Sequence, residues 1–194
     1  MSRKIRIAAI LITALLATIS TIVWSAAGTG LSGSTTVTFG VTYENALDLS
    51  TIRDRVAFNS VVNWTFGTGA NQCNVLYHDT VTIADGANTT LDLFASGTLT
   101  DSFGNALTMA AIKVLYLKNN SSDAKLKVFG AASLDLLILT GTTDEVEVHP
   151  GGVFFWSCPT AAGVVTSTNK NLYLEHDGTG SSSMEVDVIA MGLD

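Results

Sequence analysis

From Gly28 onward, apolar and polar side chains alternate with period two in one run after another, and no stretch of ten or more residues carries a convincing 3.6-residue stripe. Alternation sends successive side chains to opposite faces of a pleated backbone, so the pattern predicts strands with one buried and one wet face. In Thr36-Val37-Thr38-Phe39-Gly40-Val41-Thr42-Tyr43 the odd positions are apolar and the even ones are Thr or Gly. Lys125-Leu126-Lys127-Val128 and Glu145-Val146-Glu147-Val148 repeat the pattern with charge outward. Thr80 to Ile83, Thr89 to Phe94, Asn171 to Glu175 and Met184 to Ala190 are further strands. Ile112 to Leu117 is apolar on both faces apart from Lys113, which predicts a central strand covered on both sides.

Turn-forming clusters separate these runs: Gly67-Thr68-Gly69, Asp85-Gly86, Phe103-Gly104-Asn105, Asn119 to Asp123, Pro150-Gly151-Gly152 and Asp177 to Ser183. The runs between them number about nine or ten, at the spacing of sandwiches and barrels. The expected fold is all-β: a two-sheet antiparallel sandwich, jelly-roll-like, with immunoglobulin-like topology as the alternative. Asp48 to Phe58 is expected to hold a short helical turn, with Ser50 as N-cap and Arg53, Asp54 and Arg55 clustered behind it. With 47% hydrophobic and 14% charged residues among 194, the chain is excluded from intrinsic disorder and is one domain's worth of sequence.

Ahead of this body, Arg3, Lys4 and Arg6 precede Ile7 to Trp24, eighteen residues without charge, Gly or Pro. As a helix they would rise about 27 Å, enough to cross a hydrocarbon core of roughly 30 Å. The expectation is one N-terminal apolar helix with Ile7, Ile10, Leu11, Leu15, Leu16, Ile19, Ile22, Val23 and Trp24 as its membrane-facing residues. Three fates remain open: a retained anchor, a signal cleaved after Ala27, or a helix buried within an assembly. The first two leave the basic flank in the cytoplasm and export everything beyond Gly28. The division is residues 1–27 as anchor or signal and 28–194 as the β-domain. That domain holds seven basic and seventeen acidic residues, a net charge of −10, which repels phosphate backbones and sets nucleic acid aside as a partner.

Catalytic and metal motifs are sparse. The three histidines, His78, His149 and His176, lack the spacing of a local metal site, and each adjacent His-Asp pair points its members to opposite faces of a strand. Ser157-Cys158-Pro159 lacks the small-residue elbow of a nucleophile. Glu185 and Asp187 share one face of a strand and read as a solvated edge rather than a glycosidase pair. Asp177-Gly178-Thr179-Gly180 and Asp85-Gly86 lack the ligand alternation of a calcium loop. The expectation is therefore a non-enzyme with no cofactor and no metal. Cys73 and Cys158, 85 positions apart, either pair as a disulfide or stand as two buried thiols. Trp64, Phe154 and Trp156 are either core and interface aromatics or a platform for a sugar ring.

Asn45-Ala46-Leu47-Asp48-Leu49, Phe66 to Gln72, Leu76-Tyr77-His78-Asp79, Leu91-Asp92-Leu93, Leu99 to Asn105, Gly130-Ala131-Ala132-Ser133 and Val148 to Gly152 together resemble a group of small β-rich bacteriophage proteins associated with virion structural genes. The resemblance spans roughly Asn45 to Met191 and rests on turns and strand starts; the N-terminal apolar segment departs from it. It implies a virion component that is non-catalytic, contacts copies of itself and other virion structural proteins, and is located in the particle. The apolar segment adds a membrane contact to that expectation. Two alternatives come from other classes: an exported adhesive or carbohydrate-binding module on a bacterial surface, and a pilin-like filament subunit. The second lacks the prepilin Gly and the Glu five residues into the apolar run.

Overall fold

A computed structural model describes residues 23–24, 30–46, 51–95, 98–129, 136, 138, 144–180 and 182–194. Residues 7–22 of the expected anchor and Ser50 of the expected helical turn lie outside these. The described residues contain strands and turns but no helix, and so none long and apolar enough to cross a membrane. Val23 and Trp24 form a two-residue strand, β1 (Val23–Trp24).

The chain divides into two compact units, one built on residues 32–64 and the other on residues 65–194. The first is a ribbon of two long strands, β2 (Leu31–Ala46) and β3 (Thr51–Phe66), which neighbour each other in their sheet with β1 beyond β2. The helical turn expected over Asp48 to Phe58 is thereby corrected, because residues 51–58 are the start of β3. The physical reason is visible in the sequence itself: Ile52, Val56, Phe58, Val62 and Trp64 recur at even positions, a period-two stripe that Asp54 and Ser60 interrupt but do not cancel. A strand partner across the ribbon outweighs one N-cap.

The second unit contains β4 (Gln72–Cys73), β5 (Val75–Ile83), β6 (Asn88–Asp92), β7 (Leu99–Thr100), β8 (Ala106–Leu107), β9 (Ala111–Asn119), β10 (Leu126–Phe129), β11 (Glu145–Val148), β12 (Val153–Ser157), β13 (Val164–Val165), β14 (Asn171–His176) and β15 (Met184–Leu193). One sheet runs β12-β9-β15-β5, with β13 also pairing β9; a second runs β11-β10-β14-β6; β7 and β8 form a small hairpin. Pairing within each is antiparallel. Both sheets feed one apolar core: Leu115, Leu117, Val186, Val188 and Ala190 from the first, and Leu91, Leu126, Val128, Leu172 and Leu174 from the second. Strand β14 alternates half-buried and buried residues along its whole length, as a strand with one core face must. The near-continuous burial of β9 follows from its position between β12 and β15 and from apolar side chains on both faces.

The solvated-edge reading of Glu185 and Asp187 is also corrected. Strand β15 is hydrogen-bonded to β5 on one side and β9 on the other, so the two carboxylates sit on the outer face of a central strand. The stripe Met184, Val186, Val188 and Ala190 on its other face is fully buried, which fixes the register.

Candidate functional site

Three side-chain pairs set the phase of the β2–β3 ribbon. Trp64 donates its indole N–H to Thr35 Oγ1 at 3.1 Å, which puts odd positions of β2 and even positions of β3 on one face. Glu44 pairs with Arg53 at 2.6 Å, and Thr38 Oγ1 donates to Asn59 Oδ1 at 3.5 Å, which puts the remaining positions on the other. From Thr35 through Thr38 to Glu44 the position rises along β2 while the partner falls from Trp64 through Asn59 to Arg53 along β3, so the strands are antiparallel. One face therefore carries Val37, Phe39, Val41, Tyr43, Val56 and Phe58, interrupted by Asp54 and Ser60, and the other carries Thr36, Thr38, Thr42, Glu44, Arg53, Arg55 and Asn59 together with the exposed Val61.

The apolar face is open. Its exposed residues range from 38% accessible at Val37 to 57% at Phe58, with Phe39, Tyr43 and Val56 between. Sixteen residues extend about 50 Å at ~3.3 Å each, and an isolated two-stranded ribbon is marginally stable in water. The apolar stretch from Val37 to Tyr43, with Val56 and Phe58 beside it, covers about 20 Å of that length at ~3.3 Å per residue, and an exposed apolar patch of that kind marks an interaction surface. Among its described residues the ribbon buries Leu31 and Trp64, the latter 1% exposed with its one polar atom satisfied by Thr35.

A second feature lies on the outer face of the β12-β9-β15-β5 sheet. His78, Thr80, Tyr116, Asp187 and Ile189, with Asp79 and Val188, line an open concavity of about 450 Å³. The sheet register explains the grouping: His78, Ile189 and Tyr116 form one cross-strand row, and Thr80, Asp187 and Lys118 form the next. Thr80 Oγ1 donates to Asp187 at 2.9 Å. The imidazole of His78 is held by Ser102 Oγ at 2.7 Å, from the turn between β7 and β8, whose shape Asp101 sets by accepting the backbone N–H groups of Phe103 and Asn105. Burial, with the Asp187 charge adding to it, pushes the Tyr116 phenol up from its ordinary value and keeps it protonated.

The remaining sequence candidates scatter. Phe154 and Trp156 pair with Leu117 and Leu115, turn inward and pack against the core, where Phe154 meets Phe129 edge-to-face at 6.0 Å; Phe155 between them turns outward beside Tyr116. With Trp64 also buried, no face of that indole is offered to a sugar. His149 is exposed, whereas His176 is buried, its ring held by Ser182 O and the N–H of Gly178. Among the described residues no group of three or more His, Cys, Asp or Glu is placed to hold a metal ion. Cys73 and Cys158 are free thiols, Cys73 buried and Cys158 half-buried beside Thr160.

Both thiols neighbour Lys113, which the sequence marks only as the odd residue in an apolar strand. The Lys113 side chain is fully buried, and its ammonium donates to the carbonyls of Gly69 and Gln72 at 2.8 Å each, fastening the turn before β4 to β9. Burial lowers the Lys113 pKa, opposed by the two thiols. Burial likewise pushes the Cys73 thiol up to about 11, against the pull of Lys113. A pKa raised in the folded state gives stability that is complete below the unfolded value and is lost as pH rises. Reduced protein should accordingly lose on the order of 2 kcal/mol between pH 9.0 and about 11 through Cys73. Lys113, shifted down, acts in the opposite sense over that range. Comparing thermal unfolding of the native chain and Cys73→Ala across these pH values isolates the thiol: the variant's alkaline decline should be shallower, and parallel slopes would refute the assignment.

No protein-family model, no curated protein and no solved structure matches the chain.

Proposed function

We propose that this protein is a non-catalytic structural subunit of a bacteriophage particle, present in multiple copies, with the apolar segment before β1 tethering it to a membrane or to the shell. The observation that carries the reading is the ribbon: a long two-stranded ribbon with exposed Val37, Phe39, Tyr43, Val56 and Phe58 on one face needs a partner, and a second copy of the chain supplies one of matching shape. Each face offers on the order of 500 Å², so two faces stacked against each other approach the roughly 1,000 Å² of a specific interface.

The body is inferred to be a jelly-roll-like sandwich. In its support, the strands pair as β5 with β15, β6 with β14, β9 with β12 and β10 with β11, the nested order that winding one long hairpin into two four-stranded sheets produces. Both sheets share one core. Jelly rolls occur in capsid and lectin domains, which accords with the resemblance carried by the turns but does not by itself assign a role. The net charge of −10 from Gly28 onward disfavours contact with packaged nucleic acid and favours an outward or lateral position.

Mass spectrometry of purified particles tests the proposal. The intact chain should be found at a fixed ratio to the other structural proteins, and its absence from particles would refute the assignment. The same spectrum reads the fate of the first 27 residues, since a retained segment gives 20.3 kDa.

A further inference from the structure

We propose that the concavity on the outer sheet face is a binding site for a neutral saccharide, with the Tyr116 ring and Ile189 as the apolar floor and Thr80, Asp187 and His78 as its hydrogen-bonding wall. This does not depend on the particle reading, because the same site would serve a virion subunit or a cell-surface module.

The argument begins with the size and chemistry of the hollow. About 450 Å³ falls within the range of small-molecule sites, and the lining combines an apolar strip with a few convergent polar groups. A pyranose has the complementary construction: an apolar C–H face and a rim of hydroxyls, each both donor and acceptor. The register places these two kinds of lining in adjacent rows, ring and aliphatic in one, hydroxyl and carboxylate in the next, so a sugar lying flat meets both. Asp187 accepts one hydrogen bond from Thr80 and retains acceptor capacity on its other oxygen; His78 is engaged through Nε2 and keeps Nδ1 for a ligand.

Charge narrows the class. Asp187 and Asp79 line the hollow and Glu185 stands two residues along from Asp187 on the same strand face, so phosphates, uronic acids and sialic acids meet repulsion, which Lys118 across the register from Asp187 relieves in part. The floor is central strand rather than loop: Tyr116 sits on β9 and Asp187 on β15, each hydrogen-bonded to strands on both sides, which holds the site in shape before any ligand arrives. Of the aromatics that the sequence offers for this task, Trp64 is buried and Phe154 and Trp156 pack against the core. Tyr116 escapes notice in the sequence because it lies in the most apolar strand of the chain.

Saturation-transfer difference NMR on the full-length protein tests the proposal, because it reads the ligand and tolerates a large assembly or a detergent micelle. The probes are the methyl glycosides of glucose, galactose, mannose and N-acetylglucosamine, with methyl glucuronide as the anionic comparison. At least one neutral glycoside should give saturable transfer, strongest on the protons of one ring face. That transfer should weaken at least tenfold in Asp187→Asn, which keeps the side-chain shape, and in Tyr116→Ala. Tyr116→Phe should retain the stacking and most of the binding, which separates loss of the ring from loss of the fold. The proposal is overturned if no neutral glycoside gives saturable transfer, if Asp187→Asn leaves it unchanged while the unfolding curve is native, or if the glucuronide binds as well as its neutral counterpart.

Discussion

Replacing Phe39 and Phe58 together by Asp should abolish association of the full-length protein while leaving each chain folded. Both rings stand on the open face of the ribbon, 40% and 57% exposed, so neither contributes much to the fold of its own chain. In a two-fold contact between ribbons the same residues recur on each side, and four rings are withdrawn from water at once. At about 1.5–3 kcal/mol for a fully buried Phe, even half of that burial in each ring sums to several kcal/mol, a shift of two to four orders of magnitude in the dissociation constant. The introduced carboxylates add like-charge repulsion across the contact. Thr42→Asp, on the opposite face of β2, is the matched control and should leave association intact. Sedimentation velocity reads the outcome: if the doubly substituted protein sediments like the native one, the ribbon face is not what joins copies.

That face was half legible in the sequence. The odd positions of β2 announce it, because Val37, Phe39, Val41 and Tyr43 alternate with Thr and Gly without interruption. The matching half on β3 is blurred by Asp54 and Ser60 and by the charged cluster Arg53-Asp54-Arg55, where local N-cap chemistry competes with a partner strand that lies near only in the folded chain. Strands of the second unit were readable for the same reason in reverse. Glu145 to Val148 coincides with β11 because each residue's environment is set by alternation alone, and Ile112 to Leu117 lies within β9 because burial on both faces leaves nothing to alternate. What was not legible is whatever depends on long-range register. Lys113 meets the carbonyls of Gly69 and Gln72 from 44 and 41 residues away, and Thr80 meets Asp187 across 107. Alternation says which side chains face outward, but only the pairing of β5, β15 and β9 brings His78, Asp187 and Tyr116 to one hollow.

The register between the central strands β15 and β9 shifts at a position with no room for a side chain, and Gly192→Ala should be the most damaging small substitution in the second unit. Between Met191 and Gly192 the ladder joining β15 to β9 slips by one residue, a bulge that lets Leu193 reach Ala111. A methyl group at Gly192 would overlap the carbonyl oxygen of Ala111 and stand 2.9 Å from Cγ and Sδ of Met109. Neither obstacle can yield cheaply. Ala111 belongs to the central strand and is paired with Val165 of β13 as well as with Leu193, and Met109 is fully buried with no solvent to swing into. Overpacking against flexible side chains costs about 1–3 kcal/mol, and against backbone the upper end or beyond is expected. For a chain of this size 3 kcal/mol corresponds to roughly a 10 °C fall in melting temperature. Gly40→Ala is the internal comparison: nothing lies within 4 Å of the added carbon, so that melting temperature should hold or rise slightly. Circular dichroism melts of the two variants decide the matter, and equal melting temperatures would mean that the bulge relaxes freely and does not fix the register of the central strands.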